Sequence, residues 1–281
     1  MKKLIKYKGF ELEYLEISNP KAMKIDDVTL AFHGFGKSAE DFLIFKPHLK
    51  TNEIIYSFNL LQHGNSKSPR ERLWKKSLQP VELKLMMEHV LQVLRIKKFS
   101  ILAYSMGGRI SLKIVELIPE RINSITLIAP DGLKNKYFYT LVTKTWIGKQ
   151  TFKHIINKPK SVFFLSKWLT KLNLVNRSVD KIVTKSMGTL KQRKQVGDTW
   201  FMYSDIFFNQ YVVQETIVKY QLPLLLIYGK YDKLMPPKQG IKFVSTILHA
   251  KILIVEKGHQ LMVSEVVNNP VVIKHLSCKK N

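Results

Sequence analysis

Three residues of this 281-residue sequence could together carry nucleophilic acyl-transfer chemistry: Ser105, Asp232 and His259. Ser105 lies in Ala103-Tyr104-Ser105-Met106-Gly107-Gly108, directly after the apolar run Phe99-Ser100-Ile101-Leu102. A β-branched and aromatic run that breaks into small-x-Ser-x-Gly and then into helical sequence has the layout of a nucleophile elbow. The turn is tight, so the positions two before and two after the serine must be small; here they are Ala103 and Gly107. The serine then projects beside a helix N-terminus that stabilises negative charge. Its hydroxyl is a weak nucleophile until a base takes its proton, and a histidine oriented by a carboxylate can do so.

The elements that would position these residues can be read from apolar patterning. Short unalternating runs recur at Val28–Phe32, Ile54–Phe58, Phe99–Ala103, Ser124–Ile128, Leu224–Tyr228 and Ile252–Val255. Strands buried on both faces of a parallel sheet require such runs. Phe10–Ile17 alternates instead and predicts an antiparallel edge strand or hairpin arm. Leu83, Met86, Met87, Val90, Leu91 and Leu94 form one helical stripe, with Pro80 suited to its first turn. Ile110, Ile114, Val115 and Ile118 repeat that spacing after Ser105, until Pro119. The alternation predicts an α/β fold with a mostly parallel central sheet flanked by helices. The rhythm stops at Pro130-Asp131-Gly132 and resumes at Leu222-Pro223. Residues 133–221 hold 16 Lys and Arg against four acids and are predicted to form an inserted helical cap, with residues 1–132 and 222–281 as the core.

In open α/β sheets, functional loops follow the carboxyl ends of the strands. The first run is followed by His33-Gly34-Phe35-Gly36, the third by Ser105, and Ser124–Ile128 by Asp131. Leu224–Tyr228 leads to Gly229-Lys230-Tyr231-Asp232, and Ile252–Val255 to Glu256-Lys257-Gly258-His259. A small-x-Ser-x-Gly alone arises by chance in many chains. Serine, acid and histidine in that order on post-strand loops is far more specific. Asp131 stays open as a rival acid, although Pro130-Asp131-Gly132 also reads as an ordinary turn. His33 and His63 read as buried structural histidines, and no histidine pair has metal-ligand spacing, so no metal or cofactor is expected.

On these motifs the chain resembles the α/β-hydrolase fold family with a helical cap, over residues of about 10–132 and 222–275. His33-Gly34-Phe35-Gly36 is similar to that family's His-Gly-x-Gly loop. Asn59-Leu60-Leu61-Gln62-His63-Gly64-Asn65-Ser66 is similar to its Asp-x-x-Gly-His-Gly-x-Ser loop. The resemblance implies Ser105 as nucleophile, His259 as base, Asp232 as the acid that orients it, and the Phe35 and Met106 backbone N–H groups as the oxyanion hole. Ala103 replaces the commoner Gly of the elbow, and Asn59 and Gln62 replace an Asp and a Gly. The implied activity is serine hydrolysis of a carboxylic ester with an apolar or aromatic part. The family also contains carbon–carbon bond hydrolases, cofactor-free lyases and perhydrolases with the same three side chains, and fold does not separate these.

The net charge of +25 raises other partners. Nucleic acid is not expected: only seven of the 46 basic residues are Arg, and no recognition motif is present. The basic, bulky segments 144–153 and 163–169 leave two readings: contact with an anionic membrane, or apolar stripes packed inward beneath solvated Lys. The second is preferred, and a purely non-catalytic lipid-binding role would leave the in-register serine, acid and histidine without a purpose. Cap aromatics (Trp146, Phe163, Phe164, Trp168, Trp200, Phe201, Tyr203, Phe207 and Phe208) suggest an apolar pocket for a small-molecule substrate. No apolar stretch follows the basic start, and no run approaches about 20 residues, so a cytoplasmic protein is expected. Oligomeric state leaves no mark on the sequence.

Overall fold

The computed structural model describes residues 1–21, 25–133, 137–157 and 188–276. Among these, eight strands form one sheet in the order β1-β2-β4-β3-β5-β6-β7-β8. They are β1 Lys2–Tyr7, β2 Phe10–Ser18, β3 Asp27–Phe32, β4 Glu53–Phe58, β5 Phe99–Tyr104, β6 Ile122–Ile128, β7 Leu224–Gly229 and β8 Lys251–Val255. Strands β3 to β8 pair in parallel, whereas β2 runs antiparallel to both β1 and β4. Every residue of β5 and β7 is buried, as their unbroken apolar runs require.

The two sheet edges depart from expectation. Phe10–Ile17 is a hairpin arm and not an edge, because β1 lies outside it. Lys8 and Gly9 join the two strands at φ 44° and 80°, the left-handed pair that a tight hairpin turn demands. β1 left no sequence signal because Ile5 is its one buried residue. At the other end β8 has no buried residue at all, although its run reads as buried on both faces. Among the described residues no strand pairs with its outer side.

The helices follow their stripes. α1 (Pro80–Val93) buries Leu83, Met86, Met87, Val90 and Leu91, with Pro80 in its first turn. Each such side chain contributes about 1.5–3 kcal/mol when fully buried. α2 (Met106–Leu117) is buried from Met106 through Val115, on more of its circumference than one stripe predicts. Its glycines allow that closeness. A Cβ on Gly107 would stand 2.0 Å from the Phe32 carbonyl oxygen, and one on Gly108 2.6 Å from Pro130 Cβ. The remaining α-helices among the described residues are α3 (Tyr137–Lys144), α4 (Trp146–Asn157), α5 (Leu190–Met202), α6 (Gln210–Lys219), α7 (Pro237–Val244), α8 (Ser264–Val267) and α9 (Pro270–Leu276). None among the described residues is long and apolar enough to cross a membrane.

The chain divides into two compact units. The first comprises Met1–Lys67, Gln79–Lys134 and Ile206–Asn281 and holds the whole sheet; in it α2 packs on β3, β5 and β6 and touches α1 and α6. The second comprises Ser68–Leu78 and Asn135–Asp205. Within it Trp74 stacks on Phe201 at 5.5 Å and donates from Nε1 to Asp198 Oδ1 at 2.7 Å, while Phe152 stacks on Trp200. These bounds differ from the expected insertion at 133–221. Residues 206–221 belong to the first unit because Val213 and Ile217 of α6 are fully buried there. Ser68–Leu78 joins the second through Trp74 and a hydrogen bond from the Leu78 N–H to the Met202 carbonyl.

Candidate active site

Ser105 sits between β5 and α2 with φ 50° and ψ −115°, a strained conformation for any residue with a Cβ. Three backbone hydrogen bonds hold it there. Its N–H donates to the Ile128 carbonyl, and its own carbonyl accepts from the N–H groups of Gly108 and Asp131, all at 2.9 Å. Ala103 and Gly107 supply the small flanks, and Gly107 could be nothing larger.

The loops after β7 and β8 bring an acid and an imidazole to this serine. His259 Nε2 lies 3.2 Å from Ser105 Oγ, and Nδ1 lies 2.7 Å from Asp232 Oδ2. The Asp232 carboxylate is wholly buried, and its Oδ1 accepts from the N–H groups of Leu234 and Met235 at 2.9 Å each. With that carboxylate as acceptor, Nδ1 carries the imidazole proton and the Nε2 lone pair faces the serine hydroxyl. The two loops are tied to each other: Lys230 N–H donates to the Val255 carbonyl and Tyr231 N–H to the Lys257 carbonyl. A Cβ on Gly229 would meet the Gly258 carbonyl oxygen at 2.2 Å.

The rival acid is placed elsewhere. Asp131 Oδ1 accepts from the Gly132 N–H, and Oδ2 lies 3.9 Å from Arg109 Nε. Asp232, not Asp131, is the carboxylate on His259.

The loop after β3 lies directly against Ser105. A Cβ on Gly34 would stand 3.0 Å from Ser105 Cβ and 2.9 Å from the Tyr104 ring. Phe35 follows Gly34 in this loop, and Met106 follows Ser105 as the first residue of α2. Two buried histidines shape the loop. His33 Nδ1 donates to the Gly34 carbonyl at 2.7 Å, and its Nε2 accepts from the Leu60 N–H at 3.0 Å. His63 Nε2 accepts from the Gly36 N–H at 3.3 Å, and the Phe35 ring meets its edge. Burial pushes His33 down to about 3, with His63 adding to the effect, and pushes His63 itself down to about 4. Both are neutral scaffold groups.

The substitutions in the following loop form a network of their own. Asn59 accepts from the Ala39 N–H and donates to the buried Glu13, which also receives Asn65 through backbone and side chain. Burial alone would raise the Glu13 carboxyl, but the Asn65 and Asn59 hydrogen bonds and Lys2 hold it below the usual carboxylate range. Gly64, at φ 54°, closes the network, since a Cβ there would strike Asn59 and Glu13 at 2.3–2.4 Å. Gln62 occupies a left-handed position at φ 71°, where the resembling family has Gly.

Sequence reasoning missed Tyr104. Its hydroxyl donates to the His259 carbonyl at 2.8 Å and its ring lies 5.4 Å from the imidazole, so the residue before the serine steadies the base. Burial raises its phenol well above the ordinary value and keeps it a donor. No sequence signal pointed to it, because the contact joins residues 155 positions apart. Of the expected pocket aromatics, Trp146 is exposed, while Phe163, Phe164 and Trp168 lie outside the described residues.

A model of the alpha/beta hydrolase fold family matches residues 30–266. The chain belongs to that family. This α/β hydrolase is 24% identical over 225 residues to a Mycoplasma pneumoniae protein named as an esterase/lipase, covering 76% of this chain and 74% of that one. It is 23% identical over 241 residues to the uncharacterized hydrolase YugF of Bacillus subtilis, covering 83% and 81%. Among solved structures, the α/β hydrolase MGS-M2 from a Medee basin deep-sea metagenome library matches with a TM-score of 0.70 at 14% identity, over 99% of this chain and 98% of that one. The family and the names of these relatives support hydrolase activity.

Proposed function

We propose that this α/β hydrolase cleaves carboxylic esters through an acyl-enzyme on Ser105. His259 Nε2 takes the Ser105 proton as Oγ attacks the ester carbonyl carbon. Asp232 holds the imidazole in the receptive tautomer and stabilises the imidazolium. The N–H groups of Phe35 and Met106 receive the developing oxyanion, each donor worth about 3 kcal/mol. Collapse breaks the bond to the leaving oxygen, which takes the proton from His259 and departs as alcohol. Water then attacks the acyl carbon, giving its proton to His259, and the acid leaves as Ser105 recovers its own. The observation that supports this reading is the continuous relay at 3.2 and 2.7 Å from Ser105 Oγ through His259 to a buried carboxylate.

The test is covalent labelling with a fluorophosphonate followed by peptide mapping. The label should sit on Ser105 alone, and Ser105→Ala should abolish both labelling and hydrolysis of short chromogenic esters. Label on another residue, or esterase activity surviving in Ser105→Ala, overturns the proposal.

A further inference from the structure

The second unit carries a surface feature that its own packing does not use. Where α3 meets α4, Leu141, Trp146 and Ile147 are 58%, 74% and 71% exposed. Local construction keeps them there. The Thr145 hydroxyl donates to the Leu141 carbonyl at 2.8 Å and accepts from the Gly148 N–H at 2.9 Å, fixing the first turn of α4. A Cβ on Gly148 would stand 2.2 Å from the Leu141 carbonyl oxygen, so glycine lets the two helices close up. The buried side of α4 is already taken by Phe152 and Ile156. The corner is therefore a fixed apolar tip.

Its surroundings are basic. The described residues 137–157 that carry it contain three Lys and no Asp or Glu. Lys149 and Lys153 follow the tip along α4, their ammonium groups over the rings of Phe201 and Trp74 at 4.9 and 5.3 Å, and Lys144 precedes it, paired with Asp205. A Trp beside aliphatic side chains, with Lys before and after it on the same segment, has the composition of a bilayer anchor: indole settles at headgroup depth and Lys meets anionic lipid. Three side chains are far too small an area for a stable dimer, and two copies at +25 repel each other.

We propose that the Leu141–Trp146–Ile147 tip inserts into the surface of anionic lipid bilayers, drawn there by the surrounding lysines. The inference stands apart from the acyl-transfer reading.

The experiment is co-sedimentation of the full chain with vesicles of phosphatidylcholine, with and without about one-third phosphatidylglycerol. Binding to the anionic vesicles should be at least about tenfold tighter, and the double variant Trp146→Ala/Ile147→Ala should lose about tenfold or more. That variant should melt like the parent, because both side chains are exposed. Equal binding to both vesicle types, or to anionic vesicles by parent and variant alike, overturns the insertion. So does sedimentation of the parent as a dimer that the variant converts to monomer.

Discussion

Replacing Asp232 with Asn tests the relay while leaving the volume of the side chain unchanged. The new Oδ1 would keep the hydrogen bonds from Leu234 and Met235. Its NH₂ would then face His259 Nδ1, where Asp232 Oδ2 now lies at 2.7 Å. Two donors cannot face each other, so the imidazole moves its proton to Nε2, which points at Ser105 Oγ. In that tautomer it cannot take the serine proton. The second loss is charge. Unit charges about 4 Å apart attract by about 4 kcal/mol at an effective dielectric near 20, and a wholly buried carboxylate is little screened. At 1.36 kcal/mol per decade this removes about 10³ of rate, and the wrong tautomer takes kcat down by about 10⁴ in all. The assay is kcat on a chromogenic ester together with the rate of fluorophosphonate labelling, with thermal melting as the control for folding. Asp131→Asn, whose carboxylate faces Gly132 and Arg109, should lose less than about tenfold. A natively folded Asp232→Asn protein that keeps a tenth of its activity, or a larger loss in Asp131→Asn, refutes the assignment.

Gly107→Ala should cost more than about 3 kcal/mol or prevent folding, because its Cβ would lie 2.0 Å from a strand carbonyl; a urea midpoint within error of the parent would contradict that packing. Stability should also fall on acidification. His33 and His63, at about 3 and about 4 when folded, stay neutral while the unfolded chain takes up protons below about 6.5. Their stabilisation is complete above that value and is lost as pH falls towards 4, at about 1.4 kcal/mol per unit for each histidine. Urea unfolding should therefore lose about 4 kcal/mol between pH 7 and pH 5, and a flat profile over that range would show that these histidines are not held neutral.

The sheet was legible in the sequence wherever burial was two-sided. Phe99–Tyr104 and Leu224–Gly229 are covered on both faces, and their apolar runs announced them. Lys2–Tyr7 buries a single residue, so no pattern distinguishes it from a polar tail. The placement of Ser105, Asp232 and His259 on post-strand loops was legible for a related reason: parallel strands end on one side, and the loops after them converge. What patterning could not reach were contacts between residues distant in sequence. Trp74 draws Ser68–Leu78 into the second unit through Asp198 and Phe201, and nothing in Arg70-Glu71-Arg72-Leu73-Trp74 hints at that partner. Tyr104 likewise looks like one more apolar strand residue until its hydroxyl is seen on the His259 carbonyl.

That bond matters because of where the imidazole originates. Ser105 belongs to the middle of the sheet, clamped by β6 through Ile128 and flanked by the loop after β3. His259 follows β8, the edge strand with no buried residue of its own. An edge strand opens more readily than a central one, since fewer buried contacts oppose it. Reach from Nε2 to Oγ tolerates little displacement, so a base on such a strand needs ties that bypass the strand itself. Among the described residues three are present: Tyr231 of the β7 loop on the Lys257 carbonyl, the Asp232 carboxylate on Nδ1, and Tyr104 on the His259 carbonyl. The last runs from the residue next to the nucleophile, beside the contact of Nε2 with Ser105 Oγ itself. Tyr104 therefore couples the position of the base to that of Ser105, adding a tie from a fully buried central strand to those that run through the loops at the edge of the sheet.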